Sequence, residues 1–404
     1  MGPKKRCRIR QKTVDSPPDK KIKPFLDSEK AIIDPEFANS FANIALKLLN
    51  TEDKKSSVVS PYSICMALVV AGTGASGQTQ KEILETAFGG VELAEITNMF
   101  EATFDHLTDV LIANAVFFDN GCKVKQKYVT DLKKHYKAIF QKSDFTKNSD
   151  HERQKINAFV EKKTEGLIKD LIPSEAITSQ TRFVLVNAIH LMAELDHIFH
   201  KKRTAMEPFF EENGSTKQVL MMQAPLVRGS RTIDAEPRVY ESSNFQYLDF
   251  CIGSEQKYRF YVFLPKKKRS CAKLRASFFD KRSLSFSQTY EKAQPHDHVH
   301  LSVPKFKIET SFDLIPFLKT CGIQDAFEAN ADFSGITDEK VQIDAFGHKT
   351  VFEINEERIT AASATYACSI PVSGGGETFE MHANRPFLFG VCYSGLPLFM
   401  GQYY

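Results

Sequence analysis

The 404-residue chain is 42% hydrophobic and 25% charged, an ordinary composition for a folded protein that supplies enough apolar side chains for a sizeable core. Its best apolar run, residues 64–72, is far shorter than the roughly 18 residues that a membrane-spanning helix needs, so the sequence predicts no membrane partner. The net charge is +3, and residues 1–25 carry nine Lys or Arg against two Asp, a balance of +7, which leaves −4 for the rest.

Residues 1–30 are predicted to be a basic, disordered arm ahead of a folded domain at 31–404. The cations of the arm form two clusters that are typical of a bipartite nuclear import signal; they are Lys4, Lys5, Arg6, Arg8, Lys20, Lys21 and Lys23. One alternative is a solvated tail. A second, which the sequence favours less, is an arm that binds nucleic acid. No apolar run follows the charges, so no secretory signal is predicted. We expect an intracellular protein in the cytoplasm, the nucleus or both.

The first half of the folded domain has helical patterns. Asp34 can cap a helix that begins at Pro35, and another helix starts at Pro61. Helical spacing also covers 156–171, while the continuous apolar runs 111–118 and 183–189 predict central strands that are covered on both faces. Later strand-like segments are 258–264, 299–303, 341–343, 351–354 and 387–391. Helices first and strands later predict an α+β domain rather than alternating βα units.

No residue pattern in the chain indicates catalysis or a bound cofactor. The eight cysteines have no C-x-x-C or zinc-finger spacing, so reduced thiols are predicted. His296, His298 and His300 alternate and could share one strand face with a zinc ion, but an exposed strand edge is the preferred interpretation. No nucleophile motif or phosphate-binding loop is present. We therefore predict no enzyme activity, no metal and no cofactor.

Ten short landmarks in order along residues 31–404 resemble the serpin family. They are 60–64 (SPYSI), 113–117 (ANAVF), 156–160 (INAFV), 185–189 (LVNAI), 221–223 (MMQ), 303–309 (VPKFKIE), 331–336 (ADFSGI), 348–349 (HK), 354–365 and 384–389 (NRPFLF). Each landmark is weak, but their order is highly specific. The resemblance implies three β-sheets, about nine helices and an exposed reactive-centre loop at about 356–383.

The resemblance also implies a mechanism, in which a protease cleaves the loop and the cleaved loop enters the central sheet as a new strand. The family's usual loop length places the scissile bond between Val372 and Ser373, with Ile370 and Pro371 completing the specificity segment. A medium aliphatic residue such as Val suits an elastase-like serine protease, and a cysteine protease is also compatible. We expect a monomer whose partner is this target protease.

The hinge of the loop departs from the family pattern. The hinge residues are Glu356, Glu357, Arg358, Ile359, Thr360, Ala361, Ala362, Ser363, Ala364 and Thr365. Arg358 stands where the family usually has Gly, and Ile359 where it usually has Thr or Ser. Since side chains alternate along a strand, Ile359 and every second residue to Thr365 would face the interior on insertion. These two departures leave open a non-inhibitory serpin with a binding, chaperone or storage role.

The family's shutter positions correspond to Ser60, Ser63, Asn187 and His348. The resemblance implies that they form a buried polar cluster where the central strands part. Such a cluster must exchange hydrogen bonds when the sheet opens, so it could gate the transition. The alternative is a static, fully paired core cluster.

Overall fold

The computed structural model describes residues 34–104, 106–107, 110–191, 198–228, 236–253, 257–266, 270–356 and 377–404, all of which belong to one compact unit. Within these residues there are nine α-helices and sixteen strands in three sheets. The α+β class and the three-sheet, nine-helix architecture expected from the sequence are confirmed.

The helices are short and mostly capped by side chains. In the first, the Asp34 carboxylate accepts a 2.8 Å hydrogen bond from the Glu36 N–H, and Pro35 occupies the first turn, as predicted. The helices are α1 (Pro35–Thr51), α2 (Pro61–Gly74), α3 (Gly77–Phe88), α4 (Leu93–Phe104), α5 (Gln126–Tyr136), α6 (Phe145–Lys163), α7 (Cys271–Ser277), α8 (Phe286–Lys292) and α9 (Leu314–Cys321).

A five-stranded sheet forms the centre of the described fold. Its strands are, in spatial order, β12 (Phe306–Asp313), β13 (Ala345–Ile354), β4 (Phe183–Leu191), β2 (Val110–Asp119) and β3 (Ile139–Ser143). The β12–β13 and β4–β2 pairs are antiparallel, whereas β13–β4 and β2–β3 are parallel. The two apolar runs predicted as central strands are β2 and β4, and every residue of β4 is buried.

Two further sheets complete the architecture. The seven-stranded sheet has the order β1 (Ser57–Val59), β16 (Leu396–Tyr403), β15 (Phe387–Tyr393), β9 (Tyr258–Pro265), β8 (Phe245–Ile252), β7 (Arg238–Glu241) and β10 (Gln294–Pro295). The four-stranded sheet has the order β14 (Phe379–His382), β11 (His298–Pro304), β6 (Thr216–Val227) and β5 (Ala205–Phe210). The preferred interpretation of an exposed strand edge is wrong for His300, because β11 lies between β14 and β6 at that residue. His298 pairs with β6 alone, and His296 precedes β11.

The five-stranded sheet is covered on both faces, which explains its continuous apolar strands. One face packs on the seven-stranded sheet, where the rings of Phe352 and Phe389 are 5.0 Å apart. The other face carries the small side chains of Ala113 and Ala188 and packs with Ile156 and Val160 of α6. Small residues let α6 lie close to the sheet.

Two element boundaries differ from the sequence-based expectations. The helix predicted over 156–171 is α6, which begins at Phe145 and ends at Lys163. It cannot continue because Glu165 and Gly166 both have positive φ, 52° and 80°. Residues 341–343 are not a strand; β13 begins at Ala345. Val341 and Ile343 are buried from a loop, so their apolar alternation reflects packing rather than sheet pairing.

Candidate functional site: loop anchors and strand seam

The chain leaves the five-stranded sheet through an anchored glutamate, Glu356, two residues after β13 ends. Its side chain is only 5% exposed, and Oε2 lies 2.8 Å from Lys305 Nζ. The Thr204 hydroxyl donates a 2.6 Å hydrogen bond to Oε1. Burial by itself would raise the pKa of this carboxyl, but the hydrogen bonds from Lys305 and Thr204 outweigh burial and lower the pKa. Glu356 is therefore an ionised anchor at the start of the expected loop.

The chain returns at β14, which is anchored to the four-stranded sheet. Phe379–His382 pairs in parallel with β11 from Val299 to Ser302. Across this strand pair, His300 Nδ1 lies 3.2 Å from Glu380 Oε1. His382 of β14 also reaches another strand, with its Nε2 3.0 Å from Glu207 Oε2. Glu207 belongs to β5, which begins directly after Thr204. Segment 204–207 therefore contacts both ends of the expected loop.

The parallel strands β13 and β4 form a seam that stops before Glu356. Their register runs from Ala345 opposite Val184 to Thr350 opposite Ile189. Among the described residues, the last four of β13 pair only with β12. His190, the next residue of β4, is 2% exposed, and burial lowers its pKa, which favours a neutral ring at neutral pH. Within the described residues, the pairing of β13 with β4 therefore ends at Thr350, six residues before Glu356.

A polar row crosses the buried face of the sheet at this seam. Asn114 of β2 is opposite Asn187 of β4, which in turn is opposite His348 of β13. Ser60, the N-cap of α2, donates its backbone N–H to His348 Nε2 at 3.2 Å. Its hydroxyl accepts the N–H of Ser63 and donates to the Leu398 carbonyl at 2.6 Å. The structure therefore brings Ser60, Ser63, Asn187 and His348 together.

The row is incompletely hydrogen-bonded. Because His348 Nε2 accepts the Ser60 N–H, the proton of the neutral ring is on Nδ1. Within the described residues, buried atoms without a hydrogen-bond partner include His348 Nδ1, Ser63 Oγ, Asn114 Nδ2 and both amide atoms of Asn187. An unpaired buried polar group costs about 1–3 kcal/mol. The row can therefore gain hydrogen bonds if the strands around it are rearranged.

Acid should destabilise the protein through His348. Burial lowers the pKa of His348 to about 3 from 6.5, so the unfolded state binds a proton at a pH at which the native state does not. The stability is present above pH 6.5 and is lost as the pH falls towards 3, with a slope approaching about 1.4 kcal/mol per pH unit. Urea unfolding from pH 7 to 4 should show a shallower slope for His348→Asn, whereas exposed His151→Asn should behave as wild type. An unchanged slope in His348→Asn would contradict this assignment.

The remaining predicted site residues lie outside the described residues. They are the import-signal candidates Lys4, Lys5, Arg6, Arg8, Lys20, Lys21 and Lys23, the hinge residues Glu357, Arg358, Ile359, Thr360, Ala361, Ala362, Ser363, Ala364 and Thr365, the specificity residues Ile370 and Pro371, and the bond Val372–Ser373. Their roles remain predictions from the sequence.

Four residues of the site were not predicted from the sequence. Asn114 and Thr350 join the polar row, and the Thr350 hydroxyl lies 2.9 Å from His348 Nε2. Both could have been found from the two-residue period of the strands, because each shares a face with a predicted member or lies opposite one. Thr204 and Lys305 are 152 and 51 residues from Glu356 in sequence, and no local pattern indicates those contacts.

The described residues form neither a metal-binding cluster nor a membrane-spanning helix. No group of three His, Cys, Asp or Glu side chains is placed to hold a metal ion within the described ranges. Six described cysteines are free thiols, and burial raises the pKa of Cys65, Cys251, Cys271 and Cys392, which makes them poor nucleophiles at neutral pH. None of the described helices has the length and apolar character required to cross a bilayer.

Comparisons with known proteins agree with this geometry. The family model described as Serpin (serine protease inhibitor) matches residues 36–404. Serpin I2 of Homo sapiens is 28% identical over 388 residues, which cover 94% of this chain and 93% of that protein. The structure of Serpin48, described as a highly specific serpin in the insect Tenebrio molitor, has a TM-score of 0.75 at 26% identity, covering 94% of this chain and 98% of that one.

A third relative binds a small molecule. Human thyroxine-binding globulin, solved in complex with thyroxine, has a TM-score of 0.75 at 27% identity and covers 91% of this chain and 96% of that one. The family description is of protease inhibitors rather than catalysts, which agrees with the expectation that the protein is not an enzyme. Since the family model spans the chain from the first turn of α1 to the C-terminus, and the three sheets and the polar row accompany it, this protein belongs to the serpin family.

Proposed function

We propose that the protein inhibits serine proteases as a suicide substrate. The protease serine attacks the carbonyl carbon of Val372, the peptide bond breaks, and the amine of Ser373 leaves with a proton. The loop segment that ends at Val372 then inserts between β13 and β4. The Val372 carbonyl remains acyl-linked to the protease during insertion. Displacement of the linked protease deforms its active site before water can hydrolyse the acyl bond.

One observation supports this proposal: the seam between β13 and β4 is parallel, and among the described residues its pairing ends at Thr350, before Glu356. A chain that leaves the end of β13 and folds back would run antiparallel to β13, and therefore also antiparallel to β4. One inserted strand would replace a parallel contact by two antiparallel contacts, which are slightly more stable per residue. Such a strand would enter beside Val351–Ile354, which pair with β12 alone among the described strands.

The polar row and the Glu356 anchor explain why the loop would insert only after cleavage. An intact loop is held at Glu356 on one side and through β14 on the other. Cleavage frees one side, and the unpaired atoms of the row can then be paired around the new strand. Release of stored strain of this kind is a recognised switching mechanism.

The hinge sequence supports insertion in part. Residues 360–365 are small and uncharged, so they can fit between existing strands. Arg358 would face outward, where its charge can stay hydrated, and Ile359 would be buried as an apolar side chain. The bulk of Ile359 should slow entry without preventing it.

The segment Ile370, Pro371, Val372 and Ser373 favours an elastase-like serine protease, with a cysteine protease as the second option. We expect pancreatic elastase to release a C-terminal fragment that begins at Ser373 and to form a complex that survives denaturing electrophoresis. Mass spectrometry identifies the fragment, and Val372→Arg is the control, because a basic residue should direct cleavage to trypsin instead. Cleavage several residues away would contradict the assigned bond.

A second candidate function is a non-inhibitory binding role. Arg358 and Ile359 favour it. Arg358 has less backbone freedom than the Gly that the family usually has at this position, and Ile359 is bulkier than the usual Thr or Ser. The likeness to thyroxine-binding globulin also supports it, since that serpin was solved with a small ligand. Clean cleavage by elastase without a denaturant-stable complex would favour this function over inhibition.

We further propose that the protein is an intracellular monomer and that residues 1–30 act as an import signal. With a fluorescent tag, the full chain should concentrate in the nucleus, and deletion of residues 1–25 should leave it in the cytoplasm. A variant with Lys20, Lys21 and Lys23 replaced by Gln tests whether the second cluster is needed. If the arm instead binds DNA, the same deletion should remove an affinity that falls steeply with salt.

A further inference from the structure

The outward face of the β5–β6 hairpin carries an unusual amount of exposed apolar surface. Among the described residues, four large hydrophobic side chains are at least 40% exposed, and three of them are on this hairpin: Met206 (58%), Phe210 (49%) and Leu220 (46%). Met206 is directly opposite Leu220, and Phe210 follows on the same side of β5. We call Met206, Phe210 and Leu220 the hairpin patch.

The hairpin itself is firmly attached to the body, so the patch is not a sign of a loosely packed element. On its inner side, the Phe209 ring packs edge-to-face with Tyr403, with centroids 5.1 Å apart, and Val219 and Met221 are buried. The Phe210 N–H also donates a 2.8 Å hydrogen bond to the Asn384 carbonyl. A rigid hairpin that keeps three apolar side chains in water presents a surface suited to a protein partner.

The patch lies beside both anchors of the expected loop. Thr204, which binds Glu356, is two residues before Met206, and Glu207, which binds His382, is the residue after it. The Lys305 N–H donates to the Leu220 carbonyl at 2.8 Å, so the same lysine touches the anchor and the patch strand. Only 22 residues, 357–378, separate Glu356 from β14, and half of such a segment reaches at most about 40 Å. A protein that binds this segment is therefore held within about that distance of the two anchors beside the hairpin.

The charge beside the patch indicates what kind of surface it would meet. Lys202 and Arg203 are exposed immediately before β5, and neither forms an ion pair with another described residue. An apolar surface bordered by these two exposed cations is complementary to an apolar partner surface bordered by Asp or Glu. Such rim charges act mainly on the association rate.

We infer that the hairpin patch is a secondary docking surface for the target protease, which contacts it while its active site engages the loop. This inference rests on the proposed function for the identity of the partner. The protease is expected to present an apolar surface flanked by acidic side chains to Met206, Leu220 and Phe210. The patch would then select among proteases that accept the same loop sequence.

The test compares the rate of loop cleavage in wild type and in Met206→Ser/Leu220→Ser, using a panel of aliphatic-specific serine proteases that includes pancreatic elastase. With the protease that reacts fastest with wild type, the double variant should react roughly five- to thirty-fold more slowly. The control is Phe279→Ser, which removes a side chain of 40% exposure outside the hairpin and should leave the rate unchanged. A synthetic peptide of residues 366–378 gives the rate that the loop sequence supports alone.

The cleavage rate and the formation of a stable complex, measured together, distinguish docking at the hairpin patch from the proposed inhibition. If the variant is cleaved more slowly but neither protein forms a denaturant-stable complex, docking stands and the proposed inhibition fails. If wild type and variant form the complex at equal rates, inhibition stands and docking is overturned. Docking is also overturned if the variant changes only the oligomeric state, because the patch would then pair two copies of the chain. Lys202→Glu/Arg203→Glu should slow cleavage most at low salt.

Discussion

If the proposed inhibition is correct, Ala361→Arg should be cleaved as an ordinary substrate and should form no stable complex with the protease. In our proposal residue 361 faces the interior when the loop enters the sheet, so the variant would bury a guanidinium with no carboxylate partner. An unpaired buried charge costs on the order of 3 kcal/mol or more, which corresponds to roughly a hundredfold slowing of insertion. Hydrolysis of the acyl bond then occurs first. Denaturing gels should show complete cleavage and no complex, with the cleavage rate itself unchanged.

The control for this variant is Thr360→Arg, the same substitution one residue earlier. By the two-residue period, residue 360 faces outward like Arg358, so its charge can remain in water. We expect most of the complex to survive in Thr360→Arg. If both variants lose the complex equally, the hinge does not insert as a strand of the proposed register. If neither loses it, inhibition does not depend on insertion of this segment.

Thermal stability gives a second measurement of the same event. Insertion should add a strand to the five-stranded sheet and pair part of the polar row, so cleaved wild type should unfold at a higher temperature than the intact protein. Cleaved Ala361→Arg should lack this gain. Because the gain is measured after the protease is removed, it reports on the sheet and not on the trapped complex.

The fold was largely predictable, and the exceptions have physical causes. The apolar runs of β2 and β4 identified the central strands because a sheet covered on both faces leaves no polar alternation to interpret. Residues 341–343 resembled a strand for a different reason: Val341 and Ile343 alternate with the polar Gln342, but both are buried from a loop without pairing. Helix α6 was misplaced because its N-terminal half has few apolar residues; packing and the Asp144 cap, not periodicity, define its start.

The site was predictable where it depends on local sequence and not where it depends on distant contacts. His348 and Asn187 were assigned through short motifs, and their strand register follows from the fold. The Glu356 anchor was assigned only as a hinge residue, because its partners Thr204 and Lys305 come from segments far along the chain. Only the folded arrangement shows that one carboxylate joins the end of β13 to the residues that directly precede β5 and β12.

Glu356→Lys should therefore destabilise the protein more than any exposed charge reversal. It would place an ammonium group at a 5%-exposed position that faces Lys305 Nζ and the Thr204 hydroxyl. We expect a loss of about 3 kcal/mol in the free energy of unfolding, measured in urea at pH 7.5. The matched control is Glu353→Lys, which disrupts the neighbouring exposed pair with Lys307 and should cost less than about 1 kcal/mol.

The double reversal Glu356→Lys/Lys305→Glu distinguishes a specific pair from general damage. It restores opposite charges at the same two positions, so it should recover more than half of the lost free energy. The pH dependence provides a further check. The pKa of Glu356 is lowered in the folded state, so its contribution is present above the unfolded value of about 4.5 and is lost as the pH falls through the lower, folded pKa. The difference in stability between wild type and Glu356→Gln should therefore shrink in acid.

Loss of the Glu356 anchor should also make the protein form oligomers. With Glu356 released, a strand from a second molecule can enter beside Val351–Ile354, which pair only with β12 among the described strands, where the molecule's own loop would. Glu356→Lys should form oligomers on native gels during incubation at 40–45 °C, whereas the double reversal should remain monomeric for longer. Prior cleavage by elastase should prevent oligomers in both, because the seam would then be filled by the chain's own loop. Oligomers that form equally well after cleavage would show that the open seam is not their cause.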